Sequence, residues 1–298
     1  MSKLAVITCH FNFSDFNNPI NNLHQFIGKM TSDNVPVFGV ELLLPSQQSQ
    51  TLRYENWVQI LVDPNKNIFW QKECLLNIAE KLVPDEYDLI AWIDSDIFFD
   101  NKNWVEMSIN QLKTNDIIQL FEQAYWLDKD GTPFMEKPSI GSFQEKNHPK
   151  IELWDKKPYH TGFAWAMTRA QWKKSNGLYP YCVLGGGDNV MSHIFKKYEL
   201  SPNCRFNLGG NLVEFEKWVQ SLGSPSIGFI TGNAYHVYHG DRHDRQYTSR
   251  NKFTRNMDIF KSIRLNNDGI LEWYKEPDIL IFSHIEEYFK NRKEEKIL

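Results

Sequence analysis

An α/β architecture with a largely parallel central sheet is what this 298-residue sequence predicts. Three observations carry the expectation. Short, β-branched apolar runs recur at residues 4–9, 37–44, 57–62 and 89–93, and continuous runs of this length mark strands buried on both faces. Stretches with helical apolar spacing lie between the first and second runs and between the third and fourth, an alternation that builds parallel sheets. The composition, 41% hydrophobic and 23% charged, is that of a globular protein rather than a disordered one.

Each element has its own signal. The first run ends in a polar loop from His10 to Asn12. Pro19 then opens a helix along which Leu23, Phe26, Ile27 and Met30 keep helical spacing. Pro36 and Pro45 bracket the second strand. After the third run comes a helix with Cys74, Leu75, Ile78, Ala79 and Leu82 on one face, closed by Pro84. The fourth run leads straight into Asp94. Farther on, residues 117–120 and 163–167 read as strands, and Thr168 as the N-cap of a short helix with Gly177 beyond its end. Residues 188–198 read as a helix with an apolar stripe of Val190, Met191, Ile194, Phe195 and Tyr198. The tail beyond Asn251 reads as mixed helix and loop with a charged end. With no internal repeat or low-complexity linker, the expected organisation is one continuous domain over residues 1–250 and an extension, residues 251–298, packed on it.

Composition also narrows the function. A net charge of −4, from 33 basic and 37 acidic residues, excludes a nucleic-acid polycation. The four cysteines form no CxxC pair, so neither a zinc knuckle nor a disulfide scaffold is indicated. No apolar run approaches the roughly 20 residues that span a bilayer, and the first nine residues are too short and β-branched for a signal peptide. A soluble, cytoplasmic protein with no membrane span is the expectation.

The most informative segment is Asp94-Ser95-Asp96, which follows the fourth strand. If the chain stays extended there, the two carboxylates project to the same side, outside the carboxyl end of the sheet where ligands bind. Flanked by apolar residues, two such acids call for a positive partner, and hard divalent cations prefer oxygen; the alternative is a solvated acidic turn. Gly185-Gly186-Gly187 directly precedes a helix, so backbone can approach a ligand closely while Asp188 or Asn189 caps the helix; the plainer alternative is a flexible loop with a capping aspartate. His160-Thr161-Gly162 forms a further small polar turn. His236 and His239 stand three apart beside Gly240, Arg242 and several aromatics, a grouping suited to a metal or phosphate site. The segment 236–264 is locally basic, and Arg242, Arg245, Arg250 and Arg255 are suited to bidentate phosphate contacts, with a solvated face as the alternative.

Taken in order, these pieces resemble the metal-dependent glycosyltransferases of GT-A fold: an α/β nucleotide-binding half ending in Asp-x-Asp, a glycine-rich acceptor loop with an acidic residue, and a late histidine. The resemblance covers roughly residues 1–250, and the segment from Phe69 to Asn77 looks like that family's donor-binding helix. It implies a Rossmann-like fold and transfer of a sugar from a nucleotide donor, UDP-linked, with Mn²⁺ or Mg²⁺. It also implies that Asp96 and His236 ligate the metal, that Asp94 holds the ribose and shares the metal through water, and that His239 ligates or faces the diphosphate. Lys72 and Arg242 would neutralise diphosphate charge, while His10 and Asn12 would lie near the base. Ser95, His160, Gly186 and Gly187 would line the donor site, and Asp188 would be the catalytic base. Asp188-Asn189 stands where the family has a Glu-Asp pair. Trp126, Trp154 and Trp165 flank the implied acceptor region, the acceptor being a glycan or a hydroxymethylated DNA base. Two other readings stand beside this one. A phosphatase of the haloacid dehalogenase type also uses Asp-x-Asp at a strand end, but it expects a small residue at the position of Phe98. A non-enzymatic carbohydrate- or nucleic-acid-binding module would leave the carboxylates without a role.

Overall fold

The computed structural model describes residues 2–144, 157–200, 208, 212–240, 242–246, 250, 261–277 and 279–294. The first half runs β1 (Leu4–Phe11), α1 (Asn17–Ser32), β2 (Val37–Leu43), β3 (Trp57–Leu61), α2 (Lys72–Leu82), β4 (Leu89–Ile93), β5 (Ile97–Phe99) and α3 (Trp104–Gln111). Then come β6 (Ile117–Gln119), β7 (Gln123–Leu127), β8 (Pro133–Pro138), β9 (Ala164–Thr168), α4 (Arg169–Ser175) and α5 (Gly187–Phe195). The last elements are α6 (Leu212–Leu222), β10 (Ile227–Phe229), β11 (Asn233–His236), β12 (Ile263–Leu265), β13 (Leu271–Trp273) and α7 (Ile279–Lys290).

Period-two alternation along the strands builds a core on each face of the central sheet. Leu4 and Val6 of β1 serve one core, Ala5 and Ile7 the other; in β4, Leu89, Ala91 and Ile93 join the first core and Ile90 and Trp92 the second. The first is covered by α1, through Leu23, Phe26, Ile27 and Met30, and by Trp104 of α3. The second is covered by α2, α4, α5 and α6, and residues of β12, β13 and α7 enter it as well. The extension expected beyond residue 250 thus shares the main core through Ile263, Leu271, Ile285 and Tyr288.

Seven strands form the central sheet in the order β3-β2-β1-β4-β9-β6-β10. Pairings β1–β2, β1–β4, β2–β3 and β6–β10 are parallel, while β9 runs antiparallel to both β4 and β6. The expected α/β, Rossmann-like class with a largely parallel sheet agrees with this order. A second sheet, β5-β11-β7-β8, is not foreseen by the apolar runs. Its strands are short or half-exposed, so they lack the continuous apolar signature.

Local differences have local causes. Asn17, rather than Pro19, begins α1. Gly186 in the left-handed region (φ 88°) caps α5, so neither Asp188 nor Asn189 does. That helix ends at Phe195, before Lys197 turns to φ 57°. Thr168 caps α4 as expected, its hydroxyl accepting from the Gln171 amide. Trp165 is a core residue stacked on Trp92 rather than part of any site, and Trp154 and Arg255 lie outside the described residues.

In the β2–β3 pairing Gly39 sits opposite Trp57, whose indole would lie 2.3 Å from a Cβ placed on the glycine. Gly39→Ala is therefore expected to destabilise the fold by about 1–3 kcal/mol through overpacking, read as a lower midpoint in urea unfolding.

Candidate active site

The carboxyl end of the central sheet opens into a cavity of about 210 Å³. Its floor is made where β4 ends. The chain turns there instead of staying extended: the Asp94 amide bonds the Phe163 carbonyl (2.9 Å), and the Ile97 amide folds back on the Asp94 carbonyl (3.1 Å). Buried Ile97 anchors the far side of the turn. The two acids consequently serve different partners. Asp94 is ion-paired with Lys72 at the start of α2, whereas Asp96 faces the end of β11.

That second contact is set by backbone. β11 pairs antiparallel with β5, placing His236 opposite Ile97, and the Val237 amide bonds the Asp96 carbonyl at 2.9 Å. His236 Nε2 then lies 3.5 Å and His239 Nδ1 3.4 Å from Asp96 Oδ2. One ligand atom from each of Asp96, His236 and His239 falls within 4.8 Å of the others. The His236 ring stacks on Phe163 (5.0 Å, 16°), which fixes its plane. Asp96 Oδ1 is buried with no hydrogen-bond partner among the described residues. A buried carboxylate oxygen in that state is costly, and a divalent cation bound by one oxygen and two imidazoles satisfies it. The residues fit a metal ion.

The neighbouring wall is crowded with charge. Burial pushes the Asp94 carboxyl up, against the pull of Lys72. Burial opposes the Lys72 charge, yet Asp94, Asp188 and Glu73 together hold that ammonium above its ordinary range. Asp188, in the first turn of α5, accepts the Asn189 amide at Oδ1 (2.8 Å). Its Oδ2 occupies the space beside Gly162, where a Cβ would come within 2.2 Å. Gly187 makes the same allowance for Glu73 Oε1, again at 2.2 Å. Two glycines thus give two carboxylates their seats.

Most of the residues foreseen from the sequence come together here. His10, Asn12, Ser95, His160 and Gly186 line the cavity beside Lys72, Asp94 and Asp188. Burial holds the His10 ring below the ordinary imidazole range, with Glu41 opposing. The Asn12 side chain is also spent locally, since it accepts the Phe16 amide and donates to the Phe16 carbonyl. His160 packs against Phe163 (3.8 Å) and edge-on to Trp126 (4.8 Å). Gly187 sits behind the lining against Glu73. Arg242 begins a single 3₁₀ turn (Arg242–Arg245), and its side chain lies outside the described residues. Residues not foreseen for the site are Glu73, Phe163 and, from the far end of the chain, Phe289, Arg292 and Glu294. Glu73 stands next to Lys72 and within the donor-helix segment, but nothing in the sequence separates it from a solvated first-turn acid.

No family model and no curated protein matches the chain. Among solved structures, it is similar to the catalytic domain of Drosophila beta1,4-galactosyltransferase 7 in complex with xylobiose. That match has 15% identity, 67% of this chain, 64% of that chain and a TM-score of 0.36. It is also similar to a mutant of that enzyme in complex with manganese, UDP-Gal and xylobiose (14% identity, 96% and 99% coverage, TM-score 0.45). A third is a glycosyltransferase involved in glycosylation of the major capsid of PBCV-1 (11% identity, 86% and 100% coverage, TM-score 0.30). The chain spans under two thirds of the first of these, and the chemistry of the site rests on its own residues.

Burial pushes the Glu73 carboxyl up from 4.5 to about 7, with Lys72 pulling the other way. The folded chain thus keeps this proton after the unfolded chain has lost it. The group's contribution to stability is full below about 4.5 and is lost as pH rises to about 7. Over that window Glu73→Gln is expected to gain on the order of 3 kcal/mol relative to the unsubstituted protein. Urea unfolding of both proteins across the window checks it, and a constant difference would refute the assignment.

Proposed function

We propose that this chain is a glycosyltransferase that moves a sugar from a nucleoside-diphosphate donor, UDP-linked, to a hydroxyl acceptor with the help of Mn²⁺. The observation that carries the reading is the Asp96, His236 and His239 trio, with the orphaned Asp96 Oδ1, in one cavity with Lys72 and Asp188. A cation held by the trio would neutralise charge on the departing diphosphate, and imidazole ligands tilt the choice from Mg²⁺ towards Mn²⁺. The rest falls to side chains. Lys72, poised on the same wall, supports the phosphates as the bond from the sugar's anomeric carbon to the diphosphate oxygen breaks. Asp188 takes the proton of the acceptor hydroxyl as its oxygen bonds that carbon. Phe163 and Trp126 back the site with apolar surface that limits water.

Hydroxyl groups of a glycan or of a hydroxymethylated DNA base suit this chemistry as acceptors. Residence in the cytoplasm goes with the reading, and Cys9, Cys74 and Cys182 form no disulfide among the described residues, as suits a reducing compartment. Among the described residues no helix is long and apolar enough to cross a membrane.

The test is a nucleotide-sugar panel with Mn²⁺, scored for nucleoside diphosphate release. Chelation and Asp96→Ala are each expected to abolish release while circular dichroism stays unchanged; release that survives both would overturn the reading. Gly162→Ala probes the base. Its methyl displaces the Asp188 carboxylate, and a misplacement of that size is expected to lower turnover by about 10²-fold with little change in the unfolding midpoint.

A further inference from the structure

Glu73 lies on the cavity wall, and the chemistry proposed above leaves it without a task. It stands in the first turn of α2, one residue past Lys72, and is only 2% exposed. A first-turn acid ordinarily faces water, where its charge is solvated and still favours the helix N-terminus. This one lies against α5 instead. A Cβ on Gly187 would collide with Glu73 Oε1 and stand 2.6 Å from its carboxyl carbon. The end of the side chain is thus packed on backbone and held in place.

Its other oxygen is unspent. Glu73 Oε2 is buried and has no hydrogen-bond partner among the described residues. The neighbouring Lys72 ammonium is ion-paired with Asp94. Leaving a buried carboxyl oxygen in this state weakens the fold, and an apolar side chain of similar size would fill the space without that cost. A ligand that supplies the missing partner gives the acid its reason to be there.

The surroundings define the ligand group. Burial works against charge on Glu73, Lys72 and its own backbone amide favour it, and Asp188 and Asp94 oppose it again. A cation at Oε2 would meet the Lys72 ammonium alongside. An anion would face the carboxyl and its two acidic neighbours. A hydroxyl both donates and accepts, so it suits this carboxyl whether or not the carboxyl holds a proton. Position narrows the choice further. In the proposed reaction Lys72 supports the diphosphate and Asp188 receives the acceptor's proton, so the transferred sugar lies between them. Glu73 follows Lys72 in the chain and is seated against Gly187, the residue before Asp188. It borders the space that sugar occupies.

We propose that Glu73 is a specificity-determining residue that holds a hydroxyl of the transferred sugar through Oε2. The inference rests on the sugar-transfer reading and adds to it a contact with the sugar itself. The contact is a hydrogen bond, and no covalent bond changes in it.

The experiment is calorimetric titration of the full chain in Mn²⁺ with UDP and with a panel of UDP-hexoses and UDP-pentoses. The quantity read is the affinity for the best-bound sugar nucleotide divided by that for UDP, so that effects on the shared nucleotide cancel. Glu73→Ala is expected to lower this ratio by about five- to tenfold, and so is Glu73→Asp, which draws the acid back by one methylene. Glu73→Gln still donates and accepts at the same place and is expected to recover most of the loss; failure to do so would overturn the hydroxyl assignment. A ratio unchanged in Glu73→Ala and Glu73→Asp would overturn the contact altogether.

Monodeoxy forms of the same sugar nucleotide locate the hydroxyl. One of them is expected to bind the unsubstituted protein about five- to tenfold more weakly, with no further loss on Glu73→Ala. A Glu73→Ala loss equal across every deoxy sugar would mean packing and would overturn the contact too. Should Glu73→Ala fail to fold, seen as loss of UDP binding as well, Glu73→Asp runs the same cycle. If the unsubstituted protein binds no sugar nucleotide, the sugar-transfer reading falls and takes this contact with it. Sugar transfer that proceeds while the ratio stays put sinks the contact alone.

Discussion

The hydrogen bond from the Val237 amide to the Asp96 carbonyl is the constraint on which the site depends. Asp96 belongs to the turn that ends the central sheet, and Val237 to the first residue past the second sheet. Joining them brings two histidines, 140 and more positions away in the chain, against one carboxylate. Neither sheet alone holds a ligand set. Ile97 and Phe163 make the junction stiff, one as a buried anchor of the turn and the other as the platform under the His236 ring. Rigid placement matters because a metal site draws affinity from groups already held where a cation would need them, and these three groups offer atoms within 4.8 Å of one another.

Charge crowding is the second theme. Asp94, Glu73 and Asp188 all act on Lys72, and burial weakens the preference of Asp94 and Glu73 for the ionised state. The arrangement is tolerable because Lys72 sits among them and because Gly162 and Gly187 leave room for carboxylates where a side chain would collide. A phosphate-bearing ligand would change this balance at once, offering Lys72 a second anionic partner and relieving the carboxylates of nothing unless a cation came with it. Under the proposed function, such a coupling would tie nucleotide and metal binding to each other through simple electrostatics.

Much of this was legible in the chain. The four early strands, the two helices between them and the place of the acidic pair after the fourth strand follow from apolar periodicity and proline punctuation, which are local properties. His236, His239, Lys72 and Asp188 stood out because their residue types and neighbours were unusual. Other features left no local trace. β5 and β11 are three and four residues long, too short for periodicity to declare them. Glu73 looks like any first-turn acid until Gly187 is seen against it. Arg292 and Glu294 belong to a charged tail whose pattern is that of a solvated surface, although both are buried.

By itself, then, the sequence determined the α/β class, the order of the early elements and the chemical vocabulary of the site, since side-chain period and turn chemistry act over a few residues. Tertiary structure alone decided which of those groups meet. It split the two aspartates between Lys72 and the histidines by turning the chain where an extended strand would have kept them together. It also carried the far end of the chain over Gly240 into the same cavity. Contacts between distant segments depend on how sheets pack and where backbone amides find carbonyls, and no spacing along the chain encodes that.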